Sequence, residues 1–261
     1  MAAPSPYELE ILPEFRRRVT YLSLNEFLNS DMELLRWIRA RDNNLDQAEL
    51  MLRKHMKWRE EVDYDHILLL DIPKQCEVLM PEKLAGFDDD NCPLIITPLG
   101  KWNAKKVIQD LGTETALLSR WRYLKIVQET MKDKLTSEGV PVTQYSVISD
   151  LEGLSIGQGT LSVLRILSDA AMIFEANFPE SSKCMVVVNA PWFFPVFYKW
   201  IKPFLNNMGV PMILKFRSLG EQDNKIHEIG KENTEVNCIC MSSSNTIIHF
   251  AKIKMFATTN I

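Results

Sequence analysis

The segment from Asn177 to Leu205, NFPESSKCMVVVNAPWFFPVFYKWIKPFL, narrows the choice of folds more than any other part of the chain. Met185 to Val188 is an unbroken apolar run rich in β-branched residues. Such a run suits a strand covered on both faces, as in a parallel sheet, where neither side can be polar. Pro191 ends it, because proline has no ladder donor. Beyond it, Phe193, Phe197, Trp200, Ile201 and Phe204 recur at helical spacing, while Trp192, Phe194, Val196 and Tyr198 make the other faces apolar too. A helix greasy nearly all round needs cover from a core, a membrane or a bound apolar ligand. Broken by Pro195 and Pro203, this one is too short to cross a bilayer.

The surrounding sequence supplies the partners of that strand. Asp88-Asp89-Asp90-Asn91 is a turn signal ahead of a strand from Leu94 to Thr97, and asparagine tolerates the left-handed conformation such a turn needs. Thr113 to Leu135 reads as a helix with Leu117, Trp121, Leu124, Val127, Met131 and Leu135 on one face. A strand from Tyr145 to Ser149 leads into DLEGLS, and Leu161, Leu164, Leu167, Ala171 and Phe174 mark another helix. Strands alternating with helices imply an α/β domain with a largely parallel sheet.

Ahead of it, Asp31 is placed to cap a helix carrying Leu34, Leu35 and Ile38 inward, with arginines at 36, 39 and 41. Asn43-Asn44 breaks it, and Leu45, Ala48, Leu52 and Met56 mark a second helix ending near Trp58. Arg16-Arg17-Arg18 reads as a solvated helix face, and Tyr64 to Met80 as a connector with a short helix. The expected division is 1–80, helical domain and connector; 81–236, α/β domain; and 237–261, a tail with no clear period of either kind.

A net charge of −4 argues against a nucleic-acid partner. Five cysteines, odd in number and dispersed, are not a disulfide framework and point to a reducing compartment. With no signal peptide and no long apolar span, the expected location is cytoplasmic. Asp150 and Glu152, two apart at a strand end, are the one candidate acid/base pair, and no His, Lys or nucleophile nearby in sequence completes it. Gly157-Gln158-Gly159 begins a dinucleotide-type loop, but Ser162 stands at the third glycine position and the next strand ends at Asn189 rather than an acid. Histidines 55, 66, 227 and 249, the Cys238-x-Cys240 pair and the turn acids Asp89 and Asp90 lack metal-site spacing. No catalytic residue, metal or cofactor is therefore expected, and what remains is apolar volume.

LLRWIRAR, AELMLRKHMKWR, GFDDDNCP, DLEGLS, FPE, NAP and IKPFL, in that order, resemble the CRAL-TRIO family of lipid-binding and lipid-transfer proteins. The resemblance covers roughly residues 34 to 205 and looks closest to the branch containing supernatant protein factor. It implies a small helical domain followed by an α/β domain with a mostly parallel sheet, whose mobile gate helix closes a hydrophobic pocket over one lipid. By the same resemblance, Trp121, Leu124, Ile173, Phe178, Met185, Phe197, Trp200 and Ile201 are expected pocket-wall residues. Glu180 and Lys202 match the headgroup positions of phosphatidylinositol-binding members, with Arg39 or Arg41 as the third. Those members place a cation directly after the glutamate, where this chain has Ser181, which points to a neutral isoprenoid, tocol or sterol-like ligand. The implied activity is non-catalytic binding and intermembrane transfer or sensing of such a lipid, with a transient membrane surface as partner. The alternatives are an interaction module with a degenerate pocket and an α/β enzyme using Asp150 and Glu152. Past Leu205 the match weakens. Residues 225–230 resemble the family's last strand after an extra stretch at 209–222, nothing from Asn237 onward matches the family's closing segment, and no GOLD β-sandwich is expected.

Overall fold

The structure is a computed structural model, and it describes residues 2–158, 161–194, 212–216, 235–241 and 247–254. Three helices open the chain: α1 (Pro6–Arg18), α2 (Asp31–Arg39) and α3 (Leu45–Glu61). A capping box starts α1, with Ser5 Oγ accepting from the Glu8 N–H at 3.2 Å and Glu8 Oε2 accepting from the Ser5 N–H at 2.7 Å. Ser30, not Asp31, holds the N-cap position of α2, because its backbone is extended while Asp31 is already the first helical residue; the Asp31 carboxylate pairs with Arg16. Asn44 caps α3, accepting from the Gln47 N–H at 3.1 Å. The helices enclose Phe15, Leu34, Leu35, Trp37, Ile38 and Leu52, all buried. The arginine triplet is more tied down than a solvated face: Arg17 and Arg18 pair with Glu14, and Arg18 also reaches Asp46.

A connector with a 3-10 turn, Tyr64–His66, and α4 (Gln75–Leu79) leads into the second half. There the order is β1 (Lys83–Phe87), β2 (Pro93–Thr97), α5 (Ala104–Leu111), α6 (Thr113–Met131), β3 (Tyr145–Asp150), α7 (Leu161–Asn177), β4 (Ser182–Ala190), β5 (Met212–Phe216), β6 (Glu235–Met241) and β7 (Ile247–Lys254). The strands form one sheet in chain order. Its centre, β2 to β5, is parallel, with Ile95 beside Val147 and Val147 beside Met185. Each parallel step needs a long crossover; α5 with α6 makes the one from β2 to β3 and α7 the one from β3 to β4, while residues 195–211, between β4 and β5, lie outside the described residues. Antiparallel neighbours flank this centre: β1 on one side, β6 and β7 on the other.

The acid-rich turn between β1 and β2 holds no metal-like cluster. Asp88 Oδ1 accepts from the N–H groups of Asp90 and Cys92, and Asn91 takes the left-handed conformation at φ 59°. Lys183 Nζ on β4 then bonds Asp88 Oδ2 at 2.7 Å and Asp90 Oδ2 at 2.8 Å, so the acids pin the turn to a strand close by. Two expectations need correction. Helix α6 stops at Met131 instead of Leu135, because Asp133 is left-handed at φ 61° and Leu135 bridges to Pro141. The tail is not free of strands. β6 and β7 pair from Glu235 opposite Lys254 to Met241 opposite Ile247.

The two halves meet at aromatic rings. Phe178, just past α7, has its ring 5.6 Å from Trp58, 5.7 Å from Tyr64, 5.6 Å from Trp121 and 5.4 Å from Phe174. Trp37 and His55 extend the column into α2 and α3. Polar bonds fasten the same seam. His55 Nδ1 lies 3.1 Å from Asn177 Oδ1, and Arg36 Nε donates to the Pro179 carbonyl at 3.0 Å while its Nη1 binds both oxygens of Glu33.

Phe178→Ala should therefore cost about 3–5 kcal/mol in chemical denaturation, the cost of deleting a fully packed ring; a loss under about 1 kcal/mol would show that the column does not hold the halves together. A second expectation concerns acid. Burial, with Arg59 and Arg36 adding to it, pulls the His55 imidazole from 6.5 down to about 3. Between those values the unfolded chain carries a proton at this site that the folded chain refuses. His55's contribution is fully present above pH 6.5 and falls as pH drops toward 3. The free energy of unfolding should decline from pH 6.5 to 4.5, with a slope approaching about 1.4 kcal/mol per pH unit, before carboxylates such as Glu8 begin to titrate. His55→Gln should flatten that interval.

Candidate functional site

The sheet and its covering helices do not close completely. β2, β3 and β4 contribute Thr97, Tyr145, Val147, Ser149 and Met185, with the three β3 residues alternating by two and so sharing one face. α6 adds Leu117, Arg120 and Trp121, spaced three and four apart on one side of the helix, and α5 adds Ala104 and Ile108. α7 adds Leu167, Ala170, Ala171 and Phe174, and its two alanines leave space where longer side chains would fill it. The result is a mainly apolar cavity of about 290 Å³, near the lower end of the roughly 300–1,000 Å³ usual for small-ligand sites.

One end of the cavity is set by a close backbone approach. A Cβ on Gly100 would lie 2.1 Å from the Glu152 carbonyl oxygen, so only glycine lets the turn Leu99–Lys101 sit against the loop after β3. Gln158 Nε2 fastens that contact, donating to the carbonyls of Gly100 at 3.2 Å and Trp102 at 3.1 Å. Leu99 and Trp102 are thereby held at the cavity wall, and Trp102 Nε1 donates to the Pro81 carbonyl at 3.0 Å. The glycine-flanked segment around Gln158 is thus a structural turn over its described residues; Gly159 lies outside them.

Of the pocket-wall residues expected from sequence, Trp121 and Met185 line the cavity. Leu124 and Phe178 do not: they are buried in the core beneath, and Ile173 packs against that core. One stripe of α6 serves two purposes, with Leu117 and Trp121 facing the cavity and Leu124, Val127 and Met131 facing the aromatic column. Phe197, Trp200, Ile201 and Lys202, and with them the expected gate helix, lie outside the described residues.

Of the expected headgroup set, Arg39, Arg41 and Glu180 lie within the described residues. Arg39 is engaged by Glu8, its Nε and Nη2 donating to the carboxylate at 2.6 and 3.0 Å, which holds the Glu8 carboxyl down at about 2. The Glu180 charge also acts on Arg39 and helps keep it protonated. Arg41 donates to the Ala40 carbonyl at 2.9 Å. The arginine that reaches the FPE loop is Arg36, which the sequence pattern did not single out. Glu180 itself is left-handed at φ 55°, with its carbonyl held by Gln144 Nε2 at 3.0 Å. Ser181 is 3% exposed and turned inward, its Oγ donating to the Phe178 carbonyl at 2.7 Å.

Asp150 has a structural task. Its Oδ1 accepts from the Glu152 N–H and from Asn189 Nδ2, each at 2.9 Å, tying the ends of β3 and β4 together. Among the described residues no three His, Cys, Asp or Glu side chains are grouped to hold a metal ion, and no helix is long and apolar enough to cross a membrane. The polar lining that sequence reasoning missed is Glu82, Thr97 and Arg120. Thr97 Oγ1 donates to Glu82 Oε1 at 3.2 Å, and Arg120 Nη1 pairs with the same oxygen. Its one trace in the sequence is an arginine interrupting the apolar stripe of α6.

Comparison with known proteins agrees with this architecture. The CRAL/TRIO domain matches residues 81–211. Protein real-time of Aedes aegypti is 28% identical over 207 residues, or 77% of this chain, and the chain spans 31% of that relative's length. The crystal structure of Sfh5 aligns with a TM-score of 0.64 over 82% of each chain at 13% identity, a likeness of fold.

Gly100→Ala should lower the thermal midpoint, since the new methyl meets backbone that cannot rotate away; about 1–3 kcal/mol is expected for such overpacking. An unchanged midpoint would mean that the turn relaxes freely and does not set the cavity wall.

Proposed function

This chain belongs to the CRAL/TRIO domain family, and we propose that it binds one neutral hydrophobic lipid, of isoprenoid, tocol or sterol-like type, and carries it between membranes or senses it without altering it chemically. The observation that carries this reading is the apolar cavity between sheet and helices. Burying a lipid chain is worth about 0.8 kcal/mol per CH₂ relative to water and almost nothing relative to a bilayer. A carrier therefore has to match the burial a membrane offers and lower the barrier between the two, which a cavity under an apolar cover does.

The preference for a neutral ligand draws on the charges around the FPE loop. Arg39 is already neutralised by Glu8, and Ser181 faces inward, so neither offers a free cation beside Glu180. Arg41, bonded to a backbone carbonyl, and Lys202 are the remaining candidates for a headgroup contact. Membrane docking is supported by Trp192, which is 85% exposed where the chain leaves β4, since an indole suits the boundary between water and acyl chains. A cytoplasmic setting follows from the dispersed cysteines.

Lipid extracted from the purified protein should approach one neutral molecule per chain. Ala170→Trp, which fills the cavity from α7, should cut loading and liposome-to-liposome transfer about tenfold or more while the thermal midpoint stays near wild type. Absence of lipid, with no uptake from neutral-lipid vesicles, would favour an interaction module with a degenerate pocket. Preferential uptake of phosphoinositides would overturn the neutral ligand and leave the carrier.

A further inference from the structure

Glu82 and Arg120 are the two charged side chains among the described residues that line the cavity. Only 7% of the Glu82 side chain and 26% of the Arg120 side chain is accessible. Stability is a weak reason for such a pair, because apolar replacements of similar volume usually do as well or better. The pair is also incompletely used. Arg120 Nη1 and Thr97 Oγ1 both go to Glu82 Oε1, while Arg120 Nε and Nη2 and Glu82 Oε2 make no hydrogen bond among the described residues. The cavity thus holds spare charged donors beside a spare charged acceptor, within walls that are otherwise mostly apolar.

We propose that Glu82 and Arg120 form a polar seat for the hydroxyl group of a lipid alcohol whose apolar body lies against Leu117, Trp121, Val147 and Phe174. This deepens the carrier reading and rests on it. A hydroxyl is the simplest group that uses both halves of the pair: its oxygen accepts from the guanidinium of Arg120 and its O–H donates to Glu82. A hydrocarbon uses neither half and must still cover the pair. A ketone or ester can accept but has nothing to donate to Glu82. A fatty-acid carboxylate gains from Arg120 and is repelled by Glu82 at the same point. The seat therefore selects by head chemistry and leaves the shape of the body to the walls.

The test is displacement of a fluorescent aliphatic probe from the full chain by hexadecanol, hexadecane and hexadecanoate. The alcohol-to-alkane affinity ratio is taken within each variant, so that a general change in cavity affinity cancels. Wild type should favour hexadecanol over hexadecane about tenfold or more, the scale of one charge-assisted hydrogen bond, and should not favour hexadecanoate. Changing one partner alone strands a buried charge and risks unfolding, so the main variant is the matched apolar pair Glu82→Leu with Arg120→Met, with folding checked by circular dichroism. There the ratio should fall to near one, whereas Ser137→Ala, on the exposed loop after α6 and away from the cavity, should keep it. A ratio that persists in the double variant, or a wild-type preference for hexadecanoate, overturns the seat while the carrier stands. If no probe or competitor binds folded wild-type protein, the carrier reading itself fails, and the seat with it.

Discussion

Everything else in the structure depends on Phe178 and the four rings around it. Trp58 comes from the helical half, Tyr64 from the connector, Trp121 from α6 and Phe174 from α7. Aromatic pairs at these separations add roughly 0.5–1.5 kcal/mol beyond the area they bury. Because the cluster takes one ring from each element, it fixes how those elements lie against one another. The cavity inherits that rigidity: Trp121 touches Phe178 on one side and lines the cavity on the other.

Charges in this protein work mainly as fasteners. Arg36 with Glu33 reaches the Pro179 carbonyl across the seam, Arg39 with Glu8 secures α1 to α2, and Lys183 clamps the turn before β2. Each is an ion pair with further hydrogen bonds, the form in which a partly buried charge is tolerated. Residues that a motif presents as ligand contacts can thus already be committed within the chain, as Arg39 is. The pair inside the cavity differs in lying among apolar walls with donors left over, which gives it a different meaning from the others.

The cavity itself comes from small residues and one close contact. Ala104, Ala170 and Ala171 keep two helices from filling the space over the sheet, and Gly100 brings a turn against the loop after β3. Interiors are otherwise packed to crystal density, so a void of this size persists only where rigid elements hold its walls apart. The parallel strands β2 to β4 are the floor, and the crossover helices α5, α6 and α7 are the sides.

Much of the fold was legible in the sequence because local patterns report local requirements. The valine run of β4, the α6 stripe, the Asn91 turn and the Asn43-Asn44 break each announce a strand, a helix face or a left-handed backbone. The ordered motifs announced the family, and the match over residues 81–211 agrees. The site was less legible. Hydrophobicity marks a residue as inside without saying whether it faces a core or a void, so Leu124 and Phe178 read the same as Trp121 and Met185 until packing separated them. The partners of Arg39 and Arg120, 31 and 38 residues away along the chain, leave no periodic trace at either end. Local propensity and burial are written residue by residue in the sequence. Which buried charges meet, and which apolar surfaces are left facing empty space, is decided only when distant elements pack, because both depend on distances that no local pattern encodes.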